Sequence, residues 1–471
     1  MPTDTDVLII GAGPVGLFLA NECARRGMRF RIIEAQSEQS QHSKALAIFP
    51  RTLEVFDMAG LAAPFMEVAN RVTWVAVASH ERQLARLQFT PEGTPYPYVA
   101  MVPQDVTERL LADALKQKGG VIEYDTTCVN LEQQRDSVTV TAESKGQQIS
   151  ISATYVVGCD GAHSIVRHRL NLSFEGGAYD STYMLADVDT NESLPGDEMQ
   201  LCPSALGPVA IFPMSATRRR VVAMMASTPS EDAPSLETVR KVLAERAPAG
   251  LEARNVRWGS YFRIHHRQVE QMRVGRVFVA GDAAHIHSPF GGQGMNTGLQ
   301  DAWNLVWKLD LAVRGHGTEQ LLDSYAAERR PVIKRVIDLT HFMTTALGAP
   351  NKVAQAIRDA VIPVVWHLPP FEHFFVQRLS ELGISYSGSP IVDGGGERHF
   401  DDSLRGGTGI KSRFLLLAYD RADGEPIAAS FPDLVEVRET RHPGLTLVRP
   451  DGYVAATAVE TIRDVLALQT T

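Results

Sequence analysis

The side chains of this sequence best placed for chemistry are carboxylates standing where an apolar run meets a glycine-rich turn. Asp282 follows Val277-Phe278-Val279-Ala280-Gly281, and the chain then passes through Pro289-Phe290-Gly291-Gly292-Gln293-Gly294-Met295-Asn296. A helical pattern comes next, with apolar residues at Leu299, Trp303, Val306 and Leu309. That order brings a strand tip, a carboxylate and a helix N-terminus to one point. The carboxylate suits the hydroxyls of a polyol, and the first-turn N–H groups suit a group that gains negative charge. Taken alone, Gly281-Asp282 equally fits a plain strand-turn-helix connection.

A second acid has a more specific setting. The run Val7-Leu8-Ile9-Ile10 leads into Gly11-Ala12-Gly13-Pro14-Val15-Gly16, a helix to about Arg26, and a second run, Phe30 to Ile33, that delivers Glu34 and Ala35. This is strand, G-x-G-x-x-G, helix, strand and acid, with the acid 18 residues after Gly16. The glycines permit a tight turn and let a pyrophosphate approach the helix start, while the acid accepts from ribose hydroxyls. A flavin dinucleotide satisfies both descriptions: adenosine and pyrophosphate at one end, a ribityl chain and a ring that becomes anionic on reduction at the other.

Three further segments belong beside these. Gly158-Cys159-Asp160-Gly161 closes another strand, and Arg167 downstream reads either as a phosphate-facing cation or as an ion-pair partner of Asp160. Lys44-Ala45-Leu46-Ala47 precedes Phe49-Pro50-Arg51, and Pro103-Gln104-Asp105 starts a helix. Together and in this order, the segments resemble the class A FAD-dependent aromatic hydroxylases, the p-hydroxybenzoate hydroxylase and phenol hydroxylase superfamily. The C-terminal tail resembles, in shortened form, the thioredoxin-like tail of phenol hydroxylases and polyketide hydroxylases, and the chain as a whole is polyketide hydroxylase-like.

The resemblance implies FAD as cofactor and NAD(P)H as a transient co-substrate. It implies reaction of the reduced flavin with O2 at C4a and delivery of an electrophilic oxygen to an aromatic, phenolic or polyketide-type substrate. It assigns FAD contacts to Gln104 and Lys44, and FAD and NAD(P)H contacts to Asp160 and Gly161. The family usually has arginine where this chain has Lys44, which keeps the charge and loses the planar fork. No catalytic acid or base follows from the pattern. Arg263, His265 and His266 stand near the end of the middle region, where they read as acid-base candidates or as ordinary edge residues. An FAD oxidase or reductase without oxygen insertion, and a flavin-binding module without activity, remain open alternatives.

The elements that must position these residues define the layout. The expected fold class is α/β. A Rossmann-type FAD-binding domain (1–171 with 265–347) carries an inserted, mainly antiparallel substrate domain (172–264, with part of 72–102). A helical linker (348–393) leads to a small α/β thioredoxin-like C-terminal domain (394–471). A helix from Glu319 to about Glu328 is expected, with Pro331 able to start another. The region Ala354–Gln377 reads as a lid, a contact surface or, more plainly, packing across the junction, interrupted by Pro369 and Pro370.

The tail lacks cysteine, which excludes a dithiol role and leaves assembly or stability. With 471 residues, two or three domains can bury a large cofactor. A net charge of −9 argues against a nucleic-acid partner. Cys23, Cys128, Cys159 and Cys202 lack disulfide or metal spacing, so no metal is expected. The N-terminus lacks the basic region of a secretion signal, and no apolar window is long enough to span a membrane. A cytoplasmic enzyme is the expectation, with its state as monomer or homo-oligomer undecided.

Overall fold

Two eight-stranded sheets meet at a cleft, and a third, four-stranded sheet lies at the C-terminal end. The computed structural model describes residues 3–40, 43–79, 82–225, 227–288, 291–347, 360–363, 368–407 and 413–469.

The first sheet has the order β17-β18-β11-β1-β2-β8. These are Arg273–Val274, Val277–Val279, Gln147–Gly158, Thr5–Ile10, Phe30–Ile33 and Ile122–Glu123. β1 is buried along its whole length, as expected of a continuous apolar run covered on both faces. It pairs in parallel with β2 and β11, and β11 pairs in parallel with β18. Ile10 therefore lies beside Ile33 and Gly158, and Gly158 beside Val279. The carboxyl ends of four parallel strands are thus level, and each of the four glycine or acid segments starts from one of them. An antiparallel excursion, β9 (Thr126–Gln133) and β10 (Val138–Ser144), turns back at Lys145-Gly146, both of positive φ, into β11.

The helices α1 (Pro14–Arg26), α4 (Gln104–Gln117) and α7 (Gly294–Val313) pack against this sheet. Between β2 and α4 the chain forms β3 (Ala47–Ile48), α2 (Pro50–Met58), α3 (Ala62–Val68), β4 (Asn70–Val72) and β7 (Val99–Met101). A short helix, α5 (Ile165–Arg169), follows β11.

The second sheet has the order β19-β16-β12-β15-β14-β13-β5-β6. β12 (Phe174–Thr190) and β16 (Ala253–Val269) are long partners bent by register shifts. β15 (Arg218–Met225), β14 (Val209–Pro213) and β13 (Glu198–Cys202) continue the sheet. β5 (Trp74–Ala78) and β6 (Gln83–Gln88) extend it from earlier in the chain, and β19 (His285–Ile286) closes the far edge. One face buries Met184, Val221 and Ala223 under α6 (Leu236–Arg246). The other buries Tyr183, Leu201 and Phe212 toward Phe49, Met343 and Phe375.

The helix α8 runs unbroken from Glu319 to Leu347 with Pro331 inside it, where the sequence suggests two helices. Proline forfeits one backbone hydrogen bond. Here Glu328 and Arg329 just before it are locked in buried ion pairs, and Val332 and Ile333 just after it are buried, so the helix is held on both sides. Pro369 and Pro370 open α9 (Pro369–Ser380), whose Phe375, Val376 and Leu379 pack into the core beneath the second sheet.

The C-terminal sheet, order β21-β20-β22-β23, belongs to a β-α-β-β-β-α unit. It comprises β20 (Phe414–Ala418), α10 (Arg421–Ser430), β21 (Val435–Glu439), β22 (Leu445–Val448), β23 (Val454–Ala456) and α11 (Val459–Ala467). Asp420 caps the start of α10, its side chain accepting from Ala422 N. The hairpin tip between β22 and β23 plugs into the first unit. There Arg449 and Asp451 are fully buried against α7 and α8.

Candidate functional site

A cleft of about 570 Å³ opens at the level carboxyl ends of the first sheet, the place where parallel α/β sheets present ligand-binding loops. Its walls include Gly13, Lys44, Gln104, Asp160, Asp282 and Gly294.

The three glycines of the first turn have different jobs. A Cβ on Gly11, at φ +103°, would lie 2.5 Å from the Cys159 carbonyl oxygen, and one on Gly16 would strike the Gly11 carbonyl oxygen. Both are packing requirements. A Cβ on Gly13 would meet nothing within 4 Å and would project into open space at the cleft. Just there α1 begins, with Pro14 at its first turn and no side-chain cap, so the helix end is free for an anion. Pro14 and Val15 line the same wall. Glu34 accepts from Ala12 N at 2.7 Å and Gln36 N at 3.0 Å, which fixes the carboxylate and leaves each oxygen a second lone pair. Ala35 follows it at the surface.

Asp160 Oδ2 accepts from Ile165 N at 2.7 Å and Val166 N at 3.2 Å, so this oxygen organises the start of α5. Its Oδ1 is enclosed without a partner among the described residues, and burial raises the pKa of the carboxyl. Gly161 has φ +75° and lines the cleft, and a Cβ there would meet nothing within 4 Å. Arg167 makes no ion pair with Asp160. It donates instead to the carbonyls of Ala283 (3.0 Å) and Ala162 (2.7 Å), fastening the Asp160 loop to the Asp282 turn.

Asp282 stands in a single 3₁₀ turn, Gly281–Ala283. Its carboxylate is open to the cleft yet ringed by protein, and this desolvation raises its pKa against the pull of His285 and Lys44. The turn is braced from behind. Asp301 accepts from Gly281 N (3.2 Å), contacts His285 Nε2 (2.8 Å) and pairs with Arg329 (2.7 Å), which also reaches Tyr386 (2.9 Å). These braces escape a sequence reading, because no local spacing joins residues from β19, α7, α8 and the segment after α9.

Gly292, Gly294 and Met295 line the opposite wall, where α7 starts without a side-chain cap. Pro289 lies outside the described residues. The Asn296 side chain is fully buried and engaged with the protein: it accepts from Phe49 N (2.9 Å) and donates to the carbonyls of Ala47 (2.8 Å) and Gly292 (3.2 Å). Only its backbone remains for a ligand. Gln104 Oε1 accepts from Ala45 N and its amide donates to Glu108, so it shapes the Lys44–Ala47 segment above the cleft.

Two cleft residues have no signature in the sequence. Arg220 forms a buried two-point pair with Asp187 (2.7 and 2.9 Å) and donates to the carbonyls of Lys44 and Ala45, tying the second sheet to the first. His287 contacts the Ser288 carbonyl oxygen through Nδ1 and leaves Nε2 without a partner among the described residues, and burial pushes its pKa down to about 4. Arg263, His265 and His266 do not line the cleft; they lie on β16, paired with β12, and the His266 ring approaches His341 of α8.

An apolar cavity of about 20 Å³ adjoins the cleft, sharing Ala47, Phe212 and Gly292 with it and closed by Met199, Met343 and Phe375. The donor set therefore fits a flavin dinucleotide. It offers an open glycine at an uncapped helix start, an orphaned buried carboxylate oxygen, a free carboxylate for a polyol and a second uncapped helix beside an apolar chamber.

A Rossmann-type sheet joined to a mainly antiparallel one across such a cleft is the architecture of a flavin-dependent hydroxylase. Residues 4–340 match the family described as FAD binding domain, and the chain belongs to that family. It is 34% identical to 6-methylpretetramide 4-monooxygenase of Streptomyces rimosus, over 97% of this chain and 92% of that protein. It is also 34% identical to a rifampicin monooxygenase of Streptomyces venezuelae, over 95% and 94%. The solved structure of OxyS anhydrotetracycline hydroxylase from Streptomyces rimosus superposes with a TM-score of 0.81 at 32% identity, covering 99% of both chains. The protein is an FAD-dependent aromatic monooxygenase with NAD(P)H as co-substrate. Among the described residues no helix is long and apolar enough to cross a membrane.

Proposed function

We propose that the enzyme hydroxylates a multi-ring, polyketide-type aromatic held between the second sheet and the Gly291-Gly292 loop. One observation carries this reading: the apolar chamber sits on the inner face of that sheet and shares Ala47, Phe212 and Gly292 with the wall of the cleft. At about 20 Å³ it holds no ring as it stands. Met101, Met199 and Met343 line it, and unbranched methionines repack readily around a planar guest. The relatives that act on tetracycline-type and rifamycin-type molecules support the same substrate class.

In this reading the uncapped start of α1, with Gly13, Pro14 and Val15, holds the FAD pyrophosphate. Glu34 takes the adenosine ribose and Asp282 the ribityl hydroxyls. The backbone N–H groups of Gly294, Met295 and Asn296 face the pyrimidine edge, where negative charge collects on reduction. Lys44 and Gln104 cover the cofactor, and Asp160 with Gly161 serves it and the incoming NAD(P)H. When bound, FAD supplies the oxidising chemistry: it takes hydride from NAD(P)H, activates O2 and passes one oxygen atom to the ring. Phe49, Phe212 and Phe375 would line the substrate space and keep water from it. A cytoplasmic location belongs to the same reading, supported by four cysteines that form no disulfide.

The test supplies FAD-loaded enzyme with NADPH, isotopically heavy O2 and either anhydrotetracycline or phenol. Label incorporated into the large substrate, with little into phenol, is expected. Hydrogen peroxide without labelled product from the large ring system, or preference for phenol, would overturn the substrate class.

A further inference from the structure

Behind the start of α7, on the side away from the cleft, three buried side chains hold more acceptors than donors. Gln293 occupies the position before α7 at 1% exposure, its side chain making no cap, Gln300 lies two turns later at 3%, and Glu381, the residue after α9, faces them at 3%. Gln300 Nε2 reaches Glu381 Oε2 at 2.5 Å and Thr52 Oγ1 at 3.2 Å, while Gln293 Nε2 donates to the Arg378 carbonyl at 3.1 Å. With both amide nitrogens engaged, Gln293 Oε1, Gln300 Oε1 and Glu381 Oε1 are all left buried without a donor among the described residues. Gln293 also comes within hydrogen-bonding range of the Glu381 carboxyl. Three buried oxygens left without donors, on side chains in hydrogen-bonding range of one carboxyl, would cost several hydrogen bonds' worth of desolvation. A proton on Glu381 changes the count, because the acid becomes a donor and one amide oxygen gains a partner.

The surrounding charges leave room for that proton. Arg329 of α8 is the cation facing Glu381, but it is already committed to Asp301 (2.7 Å), Tyr386 (2.9 Å) and the Thr297 carbonyl (3.1 Å). Arg335 of α8 and Arg378 of α9 line the same solvent-open pocket of about 190 Å³ as Glu381, without forming an ion pair to it. Neither α7 nor α2 presents a charged side chain to the carboxyl: its contacts there are Gln293 and Gln300, with Thr52 sharing the Gln300 amide. The backbone adds a second sign of constraint. Glu381 ends α9 at φ +61°, a left-handed position that glycine usually occupies, and the fold holds a long acidic side chain there all the same.

We propose that Glu381 is a positioning residue for the start of α7, an un-ionised carboxylic acid whose O–H donates to an amide oxygen of the Gln293–Gln300 pair. Its neutrality keeps negative charge away from the helix end that presents Gly294, Met295 and Asn296 to the cleft. Burial raises its pKa to about 8, in line with this state at neutral pH. The link to the flavin rests on the reading that α7 faces the pyrimidine edge. The acid itself does not.

The sign of the pH effect is fixed. Folded protein keeps the proton up to about pH 8, whereas the unfolded chain loses it near the ordinary glutamate value of about 4.5. Wild-type stability therefore falls across that interval, and Glu381→Gln, neutral throughout, does not follow it. The melting temperature of Glu381→Gln minus that of wild type should rise from pH 5 to about pH 8 and then level off. A difference that stays flat would overturn the proposal. Infrared spectroscopy of the holoenzyme gives a second test. With glutamate carbonyls isotopically labelled, wild type should show at pH 7 an un-ionised carboxylic acid stretch that is lost above pH 9 and is missing from Glu381→Gln, the difference setting aside Glu108, whose pKa burial raises to about 7. Absence of that difference at pH 7 would overturn the proposal as well.

The flavin reduction potential separates the acid from its effect on the cofactor. In wild type it should drop more steeply with pH around 8 than in Glu381→Gln. Parallel potentials, with the infrared band and melting difference both present, would refute the placement of α7 against the flavin and leave the acid standing.

Discussion

Arg449→Met should destabilise the whole molecule, although the side chain is more than a hundred residues along the chain from its main partner. Arg449 donates to both oxygens of Glu328 (2.7 and 2.8 Å) and to both of Asp451 (3.0 and 2.6 Å), and Lys308 contacts Glu328 at 2.8 Å. Two cations thus balance two carboxylates, all with fully buried side chains. Burial opposes ionisation of Glu328, yet Arg449 and Lys308 outweigh it and hold its pKa well below the ordinary value. Removing one member of such a set leaves an uncompensated buried charge, which costs about 3–5 kcal/mol. At roughly 2 °C per kcal/mol, the low end of the size scaling, the melting temperature should fall by about 6–10 °C. Differential scanning fluorimetry at pH 7.5 measures it. Arg449→Met with Glu328→Gln restores balance, Lys308 against Asp451, and should recover a good part of the loss. A single variant within about 1 °C of wild type, or a double variant showing no recovery, would refute the claim that the hairpin tip is an ionic plug.

Three other outcomes follow from the site. Gly13→Val should fold normally, since a Cβ there meets no protein atom, and should purify colourless because the side chain fills the place assigned to pyrophosphate; stoichiometric yellow protein would refute that place. Asp282→Ala removes one charge-assisted hydrogen bond, worth about 1.5–3 kcal/mol, and should weaken FAD binding roughly tenfold to a hundredfold in a fluorescence titration; unaltered affinity would remove Asp282 from the polyol site. His287 should titrate near pH 4 rather than 6.5 by NMR in the folded enzyme. The unfolded chain takes the proton first, so stability gained from neutral His287 is present above about pH 6.5 and lost as pH falls toward 4. A midpoint near 6.5 would mean that the ring is solvated.

The part of the cleft proposed to take the nucleotide is legible in the sequence because its residues are local. Gly11 to Gly16 and Glu34 are joined by one strand-helix-strand unit, and the parallel register of β1 with β2 converts that sequence spacing directly into proximity. Asp160-Gly161 and Gly281-Asp282 are legible for the same reason, since each stands at the end of an apolar run that forms an adjacent strand. Contacts whose partners no period connects do not show. Asp187 and Arg220 are ordinary strand residues until β12 and β15 pair them across the sheet. Pro331 reads as a helix start because its missing N–H is visible in the sequence, whereas the buried pairs of Glu328 and Arg329 that hold α8 through it are not. Asn296 shows the limit most sharply: it stands at the start of α7 as its pattern implies, but all its side-chain hydrogen bonds go to the protein, binding α7 to β3. A polar residue at a predicted site thus has two ways to serve a ligand, by touching it or by fixing the backbone that does. Spacing alone does not separate them, and a count of free lone pairs and N–H groups does.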